Sequence, residues 1–353
     1  MVNLEANFQF NYENSSIDFN FSKINFNTPI TGVFGHTGSG KTTLLECIIG
    51  INNINSGYIK LNDNDLVSDI KDTVVGHRGI SYLAQHTYLF PHLTVFQNII
   101  YPLGKKGQLD YANQLISMLS LSSLLSFYPN QLSGGQQRQV ALVRALIAPH
   151  KILILDEPLS GIDKAAAVKI NKIIKKHSGS LDKNVLYVSH NIYDLAKISN
   201  EILVIDNGAN KYKDSTKSLL LNSEFSIAYL SEPISVLDSP TQVTNHGRGV
   251  NLFFNKIKVT APNINDPNEA NLIINSTDVS ISLDKVDNTS ISNQFPVTVI
   301  DIIDFPKHNS KLVILKSNEF ILQSLITTNS LNLLELVVGE KVWCLFKASS
   351  LIS

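Results

Sequence analysis

The stretch Gly35-His36-Thr37-Gly38-Ser39-Gly40-Lys41-Thr42 limits what this chain can fold into more than any other. It matches the phosphate-binding pattern G-x-x-x-x-G-K-[ST]. An apolar run, Ile30 to Phe34, precedes it and reads as a buried strand. Beyond it, Leu44/Ile48 and Leu45/Ile49 stand four apart, the spacing of one helix face. Strand, glycine loop and helix, in that order, are what phosphate binding requires. Glycines let the backbone turn tightly enough to aim successive N–H groups at an anion. The helix N-terminus adds the positive end of its dipole. In that frame Lys41 sets its ammonium on the outer phosphates of a nucleotide, and Thr42 directs its hydroxyl to Mg²⁺.

Other stretches extend the pattern. Asn7 to Tyr12 and Ile17 to Phe21 alternate polar and apolar, as half-buried antiparallel strands do. Tyr12 is the candidate for stacking on adenine. Ile80 to Gln85 reads as a strand that ends in a glutamine. Ser133 is a suitable N-cap for a helix carrying Val140, Val143 and Leu146, which Pro149 stops. With Gly134 and Gly135 it makes a second helix N-terminus suited to an anion. Ile152 to Leu155 is a continuous apolar run, fit for a strand covered on both faces, and ends in Asp156-Glu157-Pro158. Carboxylates at such a strand end suit Mg²⁺ coordination and activation of water. Val185 to Val188 is again apolar and ends in Ser189-His190, where an imidazole can reach a phosphate.

Taken together, GHTGSGKT, Gln85, LSGGQQRQ, ILILDEP, LSGID and VLYVSH resemble the ATPase subunit of an ABC transporter across about residues 1–230. The resemblance implies an α/β P-loop NTPase domain with a helical subdomain at about 90–148. It also implies a head-to-tail homodimer that sandwiches ATP. ATP would lie on Gly35, His36, Thr37, Gly38, Ser39, Gly40, Lys41, Thr42 and Thr43, with Tyr12 against the base. Ser133, Gly134, Gly135, Gln136 and Asp163 would act in trans on the other subunit's nucleotide. Glu157 would be the general base, His190 the γ-phosphate sensor, and Thr42, Gln85 and Asp156 the Mg²⁺ ligands. Here SGID replaces the serine-alanine-leucine-aspartate run common in the family. The segment between Gln85 and Ser133 would meet membrane-spanning permease subunits.

After about Tyr229 the chain changes character. Residues 231–288 read as a linker and first barrel strands, and 289–353 as a small antiparallel, OB-like β-barrel. The runs Val250–Phe254, Leu272–Ile274, Val279–Leu283, Phe295–Ile303, Leu312–Leu315 and Val342–Phe346 supply strands. Asp278 to Leu283, followed by Asn288 to Asn293, resembles the C-terminal part of molybdate importer ATPases, which ends in a Mop/TOBE-type oxyanion-binding barrel. Thr289, Ser290, Ser292 and Asn293 would hold the oxyanion, and Ser292 stands where that family has arginine. Lys285, Lys307 and Lys311 are the nearest cations in sequence.

The chain's 353 residues call for two domains, and 43% hydrophobic content supplies ample core. A formal net charge of −1 opposes a nucleic-acid binder driven by charge. The only cysteines, Cys47 and Cys344, suggest neither a disulfide framework nor a metal cluster. No basic-then-apolar leader opens the sequence and no run approaches a bilayer span. The expectation is a peripheral protein on the cytoplasmic face of the inner membrane that powers molybdate uptake with ATP and Mg²⁺. A permease and, indirectly, an external solute-binding protein would be its partners. Tungstate, sulfate, a sugar or a polyamine are alternative cargoes. A soluble ABC ATPase acting on nucleic acid or the ribosome is the other class, and such proteins carry paired ATPase halves or long coiled coils. This chain has a single motif set and no sustained heptads.

Overall fold

In the computed structural model, residues 2–352 are described except 14–16, 63, 69–70, 107–108, 181–182, 238, 248, 263 and 265–270. Two units divide between Asp214 and Ser215.

The first unit is built on one eleven-stranded sheet. Its strands are β1 (Leu4–Asn11), β2 (Asp18–Phe26), β3 (Ile30–Phe34), β4 (Ser56–Leu61), β5 (Asn64–Ser68), β6 (Lys71–Asp72), β7 (Ile80–Leu83), β8 (Ile152–Asp156), β9 (Asn184–Ser189), β10 (Glu201–Asp206) and β11 (Ala209–Ser215). They lie in the order β6-β5-β4-β1-β2-β11-β10-β3-β9-β8-β7. One half is a parallel run: β10, β3, β9, β8 and β7 pair in the same direction. Every residue of β3, β8 and β9 is buried, which explains their unbroken apolar sequences. The other half is antiparallel from β6 to β2, with β11 joining β2 in parallel, and there β1 and β2 alternate buried with solvent-facing positions as their sequences do.

Helices α1 (Lys41–Ile49), α2 (Val95–Ile100), α3 (Leu109–Met118), α4 (Gly134–Ile147), α5 (Lys164–Ser180) and α6 (Ile192–Ile198) complete the unit. In α1, Leu44, Leu45, Ile48 and Ile49 enter the core, the face that the four-residue spacing marked. The helical stretch between β7 and β8 is held by side chains at its turns. Asn98 is fully buried; its amide donates to the carbonyls of Phe90, Leu93 and Thr94, and its Oδ1 accepts the Phe90 N–H at 2.8 Å.

The second unit opens with α7 (Thr216–Leu221) and α8 (Ser223–Tyr229). These helices fall on the C-terminal side of the division because their carbonyls are claimed there. Gln323 Nε2 donates to Leu220 O at 2.8 Å and Lys307 Nζ to Leu230 O at 2.6 Å. The strands are β12 (Ile234–Leu237), β13 (Gln242–His246), β14 (Gly249–Phe254), β15 (Ile257–Pro262), β16 (Leu272–Asn275), β17 (Ser280–Ser282), β18 (Asn293–Phe305), β19 (Ser310–Lys316), β20 (Ile321–Thr327) and β21 (Lys341–Phe346), with α9 (Thr328–Leu333) between the last two. They form antiparallel sheets ordered β12-β16, β13-β14-β15 and β17-β21-β18-β19-β20. Val250, Leu252, Val259, Phe295, Val299, Leu315, Phe320 and Phe346 belong to one shared core.

Four strands of the second unit, β12, β13, β15 and β20, escaped the sequence reading. β12 lies in the serine- and proline-bearing stretch taken for linker, yet all its residues are buried, and Ser235 Oγ accepts the Gln323 N–H at 2.9 Å. β20 was hidden because Gln323 and Ser324 interrupt its apolar run. Both are fully buried with side-chain bonds, Gln323 to Leu220 O and Ser324 to Val279 O.

Arg78 fixes α1 from below. Its guanidinium donates to Cys47 O at 2.7 Å and Ile48 O at 2.9 Å, the open carbonyls of the last turn, and to Thr73 O at 2.7 Å. Asp72 pairs with it at 2.9 Å. Arg78→Leu leaves those buried carbonyls unpartnered and is expected to cost about 2–4 kcal/mol of stability in the first unit. Urea unfolding followed by circular dichroism measures this, and an unchanged midpoint would contradict it.

Candidate active site

The parallel strands β3, β9, β8 and β7 are neighbours, and each ends in a segment marked by sequence: residues 35–42, Ser189-His190, Asp156-Glu157 and Gln85. Ligands of open parallel sheets sit beyond these carboxyl ends. The topology therefore brings together residues far apart in the chain.

The glycine loop begins directly from β3 and enters α1 through Gly40, whose φ of 107° is a left-handed conformation that a side chain resists. Among the described residues no side chain caps this helix start, which leaves its first N–H groups open. His36, Thr37 and Gly38 are exposed, and Ser39 is buried with its hydroxyl unpartnered among the described residues. Lys41 folds back over the loop, Nζ donating to Gly35 O at 2.7 Å and His36 O at 2.9 Å. Burial lowers its pKa, and Glu157 and Asp156 oppose that shift. The Asp206-Asn207-Gly208 turn that follows β10 supports the loop from behind. Between β10 and β11, Asn207 and Gly208 both have positive φ, as a tight hairpin demands. The Gly208 N–H donates to Ser39 O at 2.9 Å.

Asp156 ends β8 at 2% exposure. Burial first, and then neighbouring Glu157, push its carboxyl up to about 6; Lys41, Arg138 and a hydrogen bond from Tyr82 act the other way. Its Oδ2 has no partner among the described residues. A cavity of about 310 Å³ lies beside it, lined by Thr42, Gln85, Asp156, Tyr82, Glu46 and Arg144 among others. The expected cation ligands Thr42, Gln85 and Asp156 thus share one cavity wall. An unpartnered buried carboxylate oxygen, a hydroxyl and an amide form an oxygen-rich donor set that fits a small hard cation.

Glu157 is held in a left-handed backbone conformation with φ of 51°, a strained state for a non-glycine residue. Its N–H donates to Val188 O at 3.0 Å, binding the turn to β9. The carboxylate is fixed from the same strand end. Oε1 accepts the His190 N–H at 2.9 Å and lies 2.7 Å from His190 Nδ1, and Oε2 lies 3.4 Å from Ser189 Oγ. His190 itself is largely exposed.

Tyr12 is 40% exposed, its ring edge-on to Phe10 and Phe19. Its hydroxyl sits 3.3 Å from Thr43 Oγ1 and 3.3 Å from Glu46 Oε2, which places the ring beside the first turn of α1. Ser133 caps α4 in a reciprocal box with Gln136: Ser133 Oγ accepts the Gln136 N–H at 3.3 Å and Gln136 Oε1 accepts the Ser133 N–H at 2.9 Å. Ser133 and Gly134 are exposed, and Gly135 lies against the Gly161 carbonyl. Asp163 starts α5, its Oδ1 accepting the Ala166 N–H at 2.9 Å.

In the second unit the expected oxyanion residues are differently disposed. Ser290 and Ser292 are exposed, and Thr289 Oγ1 accepts the Ile291 N–H at 3.1 Å. Asn293 is buried and its amide is engaged within the protein, Oδ1 accepting the Thr260 N–H at 2.7 Å and Nδ2 donating to Thr260 O at 3.0 Å. Of the nearby lysines, Lys307 bonds Leu230 O, Lys311 pairs with Asp304, and Lys285 is exposed.

Comparison with known proteins agrees with this arrangement. The family model "ABC transporter" matches residues 21–160 and the "TOBE domain" model matches 289–352. The "Molybdenum import ATP-binding protein ModC" of Pasteurella multocida is 32% identical, covering 92% of this chain and 93% of its own length. Its namesake from Haemophilus influenzae is 30% identical over the same share of both chains. A solved dimeric ATP-binding cassette in a post-hydrolysis state, bound to ADP and Pi, superposes with a TM-score of 0.54 at 26% identity, covering 61% of this chain and 99% of that one. Among the described residues, no helix is long and apolar enough to cross a membrane. The chain belongs to the ATP-binding proteins of ABC transporters, in the family whose curated members are named molybdenum import ATP-binding proteins.

Proposed function

We propose that this chain is the ATP-hydrolysing subunit of an importer that drives molybdate across the cytoplasmic membrane. The observation that carries the reading is the convergence of Lys41, Thr42, Gln85, Asp156, Glu157 and His190 on adjacent parallel strand ends. Phosphoryl transfer needs positioning and charge compensation more than covalent help, and these residues supply both. Glycine-loop N–H groups and the Lys41 ammonium bind the phosphates, Lys41 exchanging loop carbonyls for phosphate oxygens. Thr42, Gln85 and Asp156 hold Mg²⁺, which neutralises charge on the outer phosphates when bound. Glu157 accepts the proton of the attacking water. Its closeness to His190, 2.7 Å, keeps the carboxylate aimed and links it to the γ-phosphate side.

Tyr12 stacks on the base. The Ser133–Gln136 turn, exposed at Ser133 and Gly134, and Asp163 serve the nucleotide of a second copy, so the working form is a homodimer, as in the dimeric cassettes it resembles. Permease subunits dock on the helical stretch between Gln85 and Ser133, with a solute-binding protein beyond the membrane. This places the chain peripherally on the cytoplasmic face. The names of the relatives support molybdate as cargo. In the C-terminal barrel, Ser290 and Ser292 offer exposed hydroxyls to an oxyanion beside Thr289, with Lys285 close in sequence, because Asn293 serves the fold.

Glu157→Gln is expected to abolish turnover while leaving ATP affinity within about twofold, since it removes the base and keeps size and polarity. A phosphate-release assay beside a nucleotide titration checks this, and near-parental turnover would remove Glu157 from the role. Lys41→Ala is expected to weaken ATP binding by about tenfold or more. Protonation of Asp156, whose carboxyl titrates near 6, competes with the cation, so Mg²⁺ affinity should fall as pH drops through that value. Mg²⁺ titrations at acidic and neutral pH should show that direction. Calorimetry of the full chain with molybdate, tungstate and sulfate addresses the barrel. Selective heat with molybdate and tungstate supports an oxyanion site, and silence at millimolar anion removes it.

A further inference from the structure

Arg138 has no part in the roles assigned above, yet its surroundings are specific. It lies in the second turn of α4, is 3% exposed, and among the described residues donates only to main-chain carbonyls. Nη1 bonds Ala84 O and Gln85 O, the latter at 3.0 Å. Nη2 bonds Asp156 O and Glu157 O, the latter at 2.9 Å. One planar group therefore bridges the segment leaving β7 and the segment leaving β8. Further along α4, Arg144 donates to Tyr88 O at 2.5 Å and lies 5.4 Å over the Phe90 ring. The loop carrying Gln85 is fastened to α4 at both ends.

A guanidinium with both terminal nitrogens engaged fixes angle as well as distance, which a point-like ammonium cannot do. The bonds go to backbone oxygens, so they persist whatever the carboxylates of Asp156 and Glu157 bind. Each pair also flanks a side chain assigned to hydrolysis. We propose that Arg138 is a positioning residue for ATP hydrolysis. It sets the backbones of Gln85 and Glu157 in one frame with α4, so that the helix capped by Ser133 and both hydrolytic side chains shift as one piece. The proposal rests on the reading of Gln85 and Glu157 given above.

The test uses the full-length chain with Arg138→Gln and Arg138→Lys. Arg138→Gln is expected to lower kcat about 10- to 100-fold, the scale of a misplaced catalytic group, with the Kd for ATP within about twofold of the parent. Arg138→Lys, able to serve one carbonyl pair, should fall between the two. Hydrogen–deuterium exchange gives a readout independent of turnover: exchange should rise together in residues 84–90 and 156–160. Parental kcat in folded Arg138→Gln would overturn the proposal. So would a loss of ATP affinity equal to the loss of kcat, the mark of a fastener that merely holds the fold. If Arg138→Gln does not fold, Arg138→Lys decides on the same two quantities. Glu157→Gln separates the levels. Should it keep hydrolysing, the reading of the site fails; should it be inactive while Arg138→Gln turns over normally, only the Arg138 proposal fails.

Discussion

A carboxylate buried at 2% exposure, with one oxygen unpartnered among the described residues, is the constraint around which the first unit is arranged. Isolated, such a charge would cost several kcal/mol and take up a proton instead. Asp156 is kept near the edge of ionisation by Lys41, Arg138 and Tyr82 against burial and Glu157. None of the three neutralises it outright. Lys41 bonds loop carbonyls and Arg138 bonds backbone oxygens, so neither forms a direct ion pair with Asp156. The remaining imbalance is what a cation and a polyphosphate can resolve. A site that had satisfied itself internally would bind neither well.

That arrangement depends on backbone placement more than on side-chain identity. The strand ends are neighbours because the sheet is parallel there, and the apolar strands are buried on both faces because helices cover them. Glu157 is then turned inward by a strained conformation that two backbone contacts with β9 maintain, its own N–H to Val188 O and the His190 N–H to its carboxylate. Strain of this kind is tolerated where surrounding bonds over-determine it. The helix that follows the glycine loop is similarly fixed at both ends, by the loop and by Arg78.

The legible part of this molecule was its chemistry and its buried strands. Glycine spacing, the apolar runs and the residues at their ends marked the strand ends that the fold brings together, because phosphate binding permits few substitutes. What stayed hidden were bonds from side chains to distant backbone. Nothing in the sequence around Arg78 or Arg138 says which carbonyls they will meet, and a buried arginine looks like a surface one. The same blindness concealed β20, where Gln323 and Ser324 imitate a loop while making buried bonds. It also made Asn293 resemble a ligand-binding residue, although its amide closes a backbone pair with Thr260.

The Asn207–Gly208 turn has a consequence for engineering. Hairpin tips are ordinarily where a chain accepts inserted peptides, tags or new termini. Here the tip donates its N–H to the phosphate loop and accepts one from Asn20 through Gly208 O at 2.8 Å. Lengthening it would withdraw a support from the loop while the sheet on either side stayed paired. The chain could then remain folded and soluble yet lose its grip on nucleotide, a failure that no assay of expression or secondary structure would detect.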